Sequence, residues 1–184
     1  MKKVSVLAKG PSLAEFNGSD GEIWGLNQVC KSHSLSRLFV MDDLIYRMEK
    51  FDPGFPEYLK DYPGRLITSK AYDEWPTAEE YPLLDVAHHF GLPLGISMYS
   101  TVDYMLALAV YEDFEQIDLY GVDCISNAHS HAKTSIAVWI GVAMGRGIKV
   151  TTRAKSFSRY WNSTAVAYET ALYGYVDKPR IETL

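Results

Sequence analysis

The sequence predicts an α/β domain: a mostly parallel sheet with helices on both faces. Two observations carry that class. Short apolar or β-branched runs alternate with helical stretches along the 184 residues, and most runs end in polar or turn residues. The composition, 47% apolar and 22% charged, is that of a globular chain with a sizeable core. Strands separated by helices run parallel and are joined by right-handed crossovers.

Lys3-Val4-Ser5-Val6-Leu7-Ala8 supplies a buried first strand. The loop Lys9-Gly10-Pro11-Ser12 ends it, and Ser12 opens a short helix over 13–16 that Asn17-Gly18 breaks. Strands two and three cover 22–27 and 37–41. The third runs into Asp42-Asp43 and a helix over 44–51, which Asp52-Pro53-Gly54 stops. Strand four covers 65–69. The stretch around 70–95 is rich in Pro, Tyr and Glu, has no clear period, and is taken as an irregular lid or insertion. A helix over 99–112 is apolar on nearly all sides and is therefore buried. Strand five covers 116–121, a helix rich in small residues covers 133–145, and strand six covers 148–151. The aromatic remainder, 153–184, is expected to pack as helix plus arm. The whole chain, 1–184, is taken as one domain.

Charge and cysteine content exclude several classes. The formal charge of −5 makes nucleic acid and anionic membrane poor default partners. A DNA acceptor would need a positive groove near Arg153, Lys155, Arg159 and Arg180. No apolar run reaches the ~18 residues of a membrane span. Val4–Ala8 is too short for the apolar core of a signal peptide, so a cytoplasmic protein is expected. Cys30 and Cys124 are far apart, fit no zinc pattern, and are expected as buried free thiols.

Open parallel sheets bind ligands at the carboxyl ends of their strands, and most of the polar clusters sit there. Gly10 lets the backbone approach a ligand and Pro11 fixes the helix entry. The Ser12 hydroxyl and the Lys9 ammonium suit a phosphate, or the four residues form a plain tight turn. Asn27 suits a ribose hydroxyl, a base edge or a turn. Asp42 and Asp43 suit a divalent cation such as Mg²⁺, a sugar, or a helix cap. Ser100 and Thr101 suit a cap or a ligand at a helix start. His131 and His129 precede a helix, where an imidazole suits general-base work or a surface position. Nucleophile-elbow, metalloprotease, kinase and zinc-finger patterns are all missing.

Four pieces in order carry a resemblance: Val4 to Leu13 with its Lys9-Gly10-Pro11-Ser12-Leu13 turn, Gly25-Leu26-Asn27-Gln28, Phe39-Val40-Met41-Asp42, and Ser100-Thr101-Val102-Asp103-Tyr104-Met105 leading into Ile117 to Asp123. Together they resemble the family 42 bacterial sialyltransferases. The first turn and the Gly121-Val122-Asp123 ending are also similar to MptE-like pterin pyrophosphokinase proteins. The resemblance implies a Rossmann-like fold and a nucleotide-sugar donor. It implies that Gly10, Pro11 and Ser12 hold the phosphate side of that donor, Asn27 its nucleotide, and Ser100 and Thr101 its phosphate or sugar. Asp42 stands where the family has Asn. His131 is the implied catalytic base, with His129 second. Lys9 stands where the family has Asn, and Val102 where it has Gly, which points to the nucleotide-sugar class rather than to one sugar.

The function expected from the resemblance is sugar transfer from a nucleotide-sugar to an acceptor hydroxyl, on a glycan, a small molecule or, less naturally, a DNA base. A compact enzyme of this kind suits a bacteriophage or an accessory bacterial locus. An MptE-like phosphotransferase working with Mg²⁺ and a non-catalytic nucleotide-binding module are the alternatives. A homo-oligomer stays open.

Overall fold

The computed structural model describes residues 1–91, 97–125 and 132–153, with the backbone of two further short strands. Seven parallel strands form the main sheet: β1 (Lys3–Leu7), β2 (Glu22–Leu26), β3 (Arg37–Val40), β4 (Arg65–Thr68), β5 (Ala78–Glu80), β6 (Gln116–Tyr120) and β7 (Lys149–Thr152). Their order is β5-β4-β3-β2-β1-β6-β7. An antiparallel pair, β8 (Tyr160–Asn162) and β9 (Ala167–Glu169), stands apart from it.

The strand register decides what each face buries. Val4, Val6, Trp24, Leu26, Phe39, Ile67, Ile117 and Leu119 share one face. They pack with α3 (Leu83–Phe90), α4 (Thr101–Tyr111) and α5 (Ala132–Gly145). α4 is buried on almost every side, as its apolar sequence requires. Leu38, Val40 and Leu66 point to the other face, against Leu44, Met48, Phe55, Leu59, Tyr72 and Trp75. Leu44 and Met48 come from a π-turn at Leu44–Met48, which runs into α1 (Glu49–Phe51); Phe55 and Leu59 come from α2 (Phe55–Lys60), and Tyr72 and Trp75 from the turns between β4 and β5. Helical segments thus cover both faces of this α/β sheet.

The six expected strands appear with ends within one residue of the sequence assignment. The expected helix over 44–51 splits, because Met48 N–H reaches back to the Asp43 carbonyl in a wider turn before α1 begins. Where it is described, the stretch around 70–95 runs through turns over 70–77 and then holds β5 and α3. The sequence Ala78-Glu79-Glu80 is a poor strand former. Pairing with β4 and the Arg65–Glu79 ion pair (2.7 Å) hold it at the sheet edge. α2 was not anticipated either. Gly54, in the left-handed region at φ 83°, turns the chain, and Pro56 sits in the first helical turn. Cys30 and Cys124 are free but only half-buried.

Candidate functional site

The strand order reverses between β1 and β6, so the two chain directions part at their carboxyl ends. A crevice outside such a reversal is the usual ligand position in an open parallel sheet. Two turns are latched across it. Gly10 N–H donates to the Gly121 carbonyl (2.7 Å) and Ala8 N–H to the Tyr120 carbonyl (2.8 Å). Ser12 is buried, and its amide and hydroxyl both donate to Oδ2 of Asp123 (3.0 and 2.8 Å). The same hydroxyl accepts from Gly121 N–H (2.8 Å). Gly10, Pro11 and Ser12 therefore join the carboxyl ends of β1 and β6, and the Ser12 hydroxyl is spent on the latch. The helical turn they open, Pro11–Glu15, is a single short 3₁₀ segment.

Lys9 stands on this rim, exposed, with its ammonium 3.0 Å from Oε1 of Gln28. Gln28 in turn donates to Oδ2 of Asp52 (2.7 Å), which also faces Lys31 (3.6 Å). A chain of polar contacts thus holds the Lys9 cation over the end of β1. Neither Gln28 nor Asp52 was singled out in the sequence as a site residue.

Asn27 follows the last residue of β2 with a left-handed backbone, φ 48°. It is nine-tenths buried, and its Oδ1 has no hydrogen-bond partner among the described residues. Buried polar atoms are nearly always paired, so an orphan acceptor at a strand end is a position where a ligand donor would be stabilised.

Asp42 and Asp43 are committed to separate partners. Asp42 faces Arg47 at 3.2 Å. Asp43 caps the π-turn by accepting from the Ile45 and Tyr46 amides (3.0 and 2.9 Å), and pairs with Lys70 (3.0 Å). Among the described residues no three His, Cys, Asp or Glu side chains gather as a metal set. The Tyr46 amide first, and then Lys70, hold the Asp43 carboxyl below the usual carboxylate range. A lowered folded-state pKa gives stability that is present above the unfolded value near ~3.9 and is lost as pH falls through the folded value. Asp43→Ala is expected to cost about 1 kcal/mol at neutral pH, as loss of a cap does. In urea melts across pH, that cost should shrink toward zero in acid.

Ser100 caps α4 in a reciprocal box with Asp103, and Thr101 is the first helical residue, half-buried. The spacing Ser100-x-x-Asp103 is the sequence signature of that box and marks Asp103, which the sequence assignment passed over. His129 and His131 lie outside the described residues, as do Lys155, Arg159 and Arg180. Lys9, Gly10, Pro11, Ser12, Asn27, Asp42, Ser100 and Thr101 all lie at strand carboxyl ends or at the start of the buried helix, on one rim of the sheet. An open groove of about 310 Å³ lies elsewhere, between Leu44, Gly54, Pro56 and Trp75, and none of these residues lines it. No helix among the described residues is long and apolar enough to cross a membrane.

No protein-family model matches the chain, and no curated protein sequence matches it. Solved structures do share its fold. The sialyltransferase CstII from Campylobacter jejuni, in complex with cytidine-5'-monophosphate, superposes with a TM-score of 0.55 at 20% identity, covering 83% of this chain and 79% of that one. CstII with CMP-3FNeuAc gives a TM-score of 0.55 at 19% identity, over 83% and 80%. A CstII complex with a trisaccharide acceptor and CMP gives 0.52 at 18%, over 82% and 80%. The chain has the Rossmann-like fold of these structures.

Proposed function

We propose that the chain is a glycosyltransferase that binds a nucleotide-sugar across the carboxyl rim and transfers the sugar to an acceptor hydroxyl. The observation that carries this is the orphan Oδ1 of Asn27, buried at the end of β2 on the same rim as the Lys9 ammonium. One group calls for a hydrogen-bond donor, such as a ribose hydroxyl or a base amine. The other supplies a positive charge for a departing phosphate. The likeness in fold to structures that hold CMP, the substrate analogue CMP-3FNeuAc and a trisaccharide acceptor supports a nucleotide-sugar donor and a glycan acceptor.

In this reaction the acceptor oxygen forms a bond to the anomeric carbon while the bond from that carbon to the phosphate oxygen breaks. The bonding pair leaves with the nucleotide phosphate, whose charge Lys9 offsets. The acceptor proton passes to His131, with His129 the second candidate by sequence position. The role of His131 rests on the resemblance of its sequence position. A positioned base of this kind contributes roughly 10²–10⁴-fold.

Calorimetric titration with CMP, UDP, GDP and ADP, and with ATP as control, tests the reading. One base family should bind, and Lys9→Ala should weaken it about tenfold, as loss of a charge-assisted phosphate contact does. His131→Ala should lower transfer by about a hundredfold or more with the nucleotide Kd unchanged. Binding of none of the nucleotides would overturn the proposal, and strict Mg²⁺-dependent turnover of ATP would replace it with phosphotransfer.

A further inference from the structure

Helix α4 begins on the same rim, because it runs back along β1, β2 and β3 before β6 starts. A helix start gathers unpaired amides and partial positive charge, and it favours an anion. In this chain the anion is built in. Oδ2 of Asp103 accepts from Tyr99 N–H (2.9 Å), Ser100 N–H (2.6 Å) and the Ser100 hydroxyl (3.0 Å). The Ser135 hydroxyl in the first turn of α5 lies 2.9 Å from the same oxygen and 3.0 Å from the Ala132 carbonyl, so its one proton is shared between the two acceptors and links both helices to Asp103.

Asp103 is 0% exposed, and its Oδ1 has no hydrogen-bond partner among the described residues. A protonated acid would leave a buried O–H with no acceptor, whereas three donors and a shared fourth on one oxygen are what a carboxylate attracts. Burial raises the group's pKa above the usual carboxylate range, and the bonds from Ser100, Ser135 and Tyr99 offset only part of that rise. An ordinary helix cap sits where water can reach its second oxygen. Here that oxygen is buried near the start of α4 with no hydrogen-bond donor among the described residues.

We propose that Asp103 is a specificity-determining residue whose carboxylate fills the anion hole at the start of α4, so that the rim takes a ligand phosphate only from the Lys9 side. The inference rests on the nucleotide-sugar reading for its consequence: a donor whose sugar carries its own carboxylate is disfavoured against one with a neutral sugar. The Tyr99 and Ser100 amides are already engaged, and a second anion beside Asp103 would meet like charge at low dielectric.

The test uses inorganic phosphate as probe, followed by calorimetry and by the backbone amide signals of Tyr99 and Ser100. In the wild type these two amides should not move as phosphate is added. Asp103→Ala releases the Tyr99 and Ser100 amides and the Ser100 hydroxyl, while Ser135 keeps the Ala132 carbonyl; it should bind phosphate about tenfold more tightly than the wild type, with both amides shifting. Asp103→Asn keeps the shape of the side chain and guards against loss of folding in the alanine variant. It should gain about threefold from removal of the charge alone. Wild-type amides that shift with phosphate would overturn the proposal, and so would folded variants that gain nothing. The phosphate readout needs no nucleotide. A wild type that binds no nucleotide would remove the donor reading and leave the Asp103 result to stand or fall by itself.

Discussion

Gly121→Ala is expected to lose about 4 kcal/mol or more of stability and all nucleotide binding, because it strikes the latch between β1 and β6 in two ways. Gly121 lies in the left-handed region at φ 71°, where a side chain is strained. A Cβ there would also overlap the Ala8 carbonyl, and it would stand 3.2 Å from the Gly10 nitrogen. Both neighbours are backbone atoms bonded into the rim, so neither has a rotamer to move to. Gly10→Ala should behave alike from the opposite side: its Cβ would collide with the Asp123 carboxylate and lie 2.5 Å from the Gly121 carbonyl oxygen. Gly18→Ala is the control. Gly18 has a positive φ of 113° with nothing within 4 Å of a Cβ, so only strain remains, about 1–2 kcal/mol. Urea unfolding with the three variants separates overlap from strain. A Gly121→Ala variant no less stable than Gly18→Ala would mean that the two strand ends part easily, and that the crevice is not fixed by this latch.

That latch also shows how far the sequence could be followed. The Gly10-Pro11-Ser12 turn and the ending Gly121-Val122-Asp123 were visible as separate clusters, each at the end of a strand. From its position at a helix start, Ser12 with its hydroxyl suits a phosphate or a plain tight turn, and the family resemblance implies the phosphate. The structure engages that hydroxyl with Asp123, 111 residues further on, and no local pattern encodes such a distant partner. The main strands were legible because β-branched and apolar runs in a parallel sheet are buried on both faces and need no fine register to be noticed. β5 was not, since Ala78-Glu79-Glu80 owes its strand to β4 and to Arg65 rather than to its own propensity. α3 could have been found. Asp85 stands in its first turn, His88 and His89 in its last, and Gly91 closes it in the left-handed region. Asp103 was legible too, through its box with Ser100. Its burial, and hence its effect on the rim, depends on Ser135 arriving from a helix that begins after β6.

Arg37→Ala is expected to cost about 3 kcal/mol of stability while leaving the nucleotide Kd within about twofold, the reverse separation from a Lys9 variant. Arg37 opens β3 at the amino edge of the sheet, at the opposite end from the candidate site. Its guanidinium donates to Glu22 (3.0 Å) and, through two nitrogens, to Glu112 (2.5 and 2.8 Å). It also lies 4.6 Å from the ring centre of Trp24, whose indole N–H donates to the same Glu22 (2.7 Å). Its side chain is only 9% exposed, so truncation removes the cation that Glu22 and Glu112 share and leaves Glu112 with Lys2 alone, at 3.8 Å. Glu22 and Glu112 keep 34% and 25% exposure, and water partly screens them; this holds the expected loss to the lower part of the ~3–5 kcal/mol seen for fully buried pairs. Arg37→Met should recover part of the loss by refilling the space over Trp24, and adding Glu112→Gln should recover more by removing one of the two carboxylate charges. Chemical unfolding at low and high salt reads both effects. A loss below about 1 kcal/mol would assign the network to the class of screened surface pairs. A parallel loss of nucleotide affinity in protein that is still folded would show that the amino edge and the carboxyl rim are coupled through β2 and β3, and the sheet could then no longer be treated as a rigid support for the site.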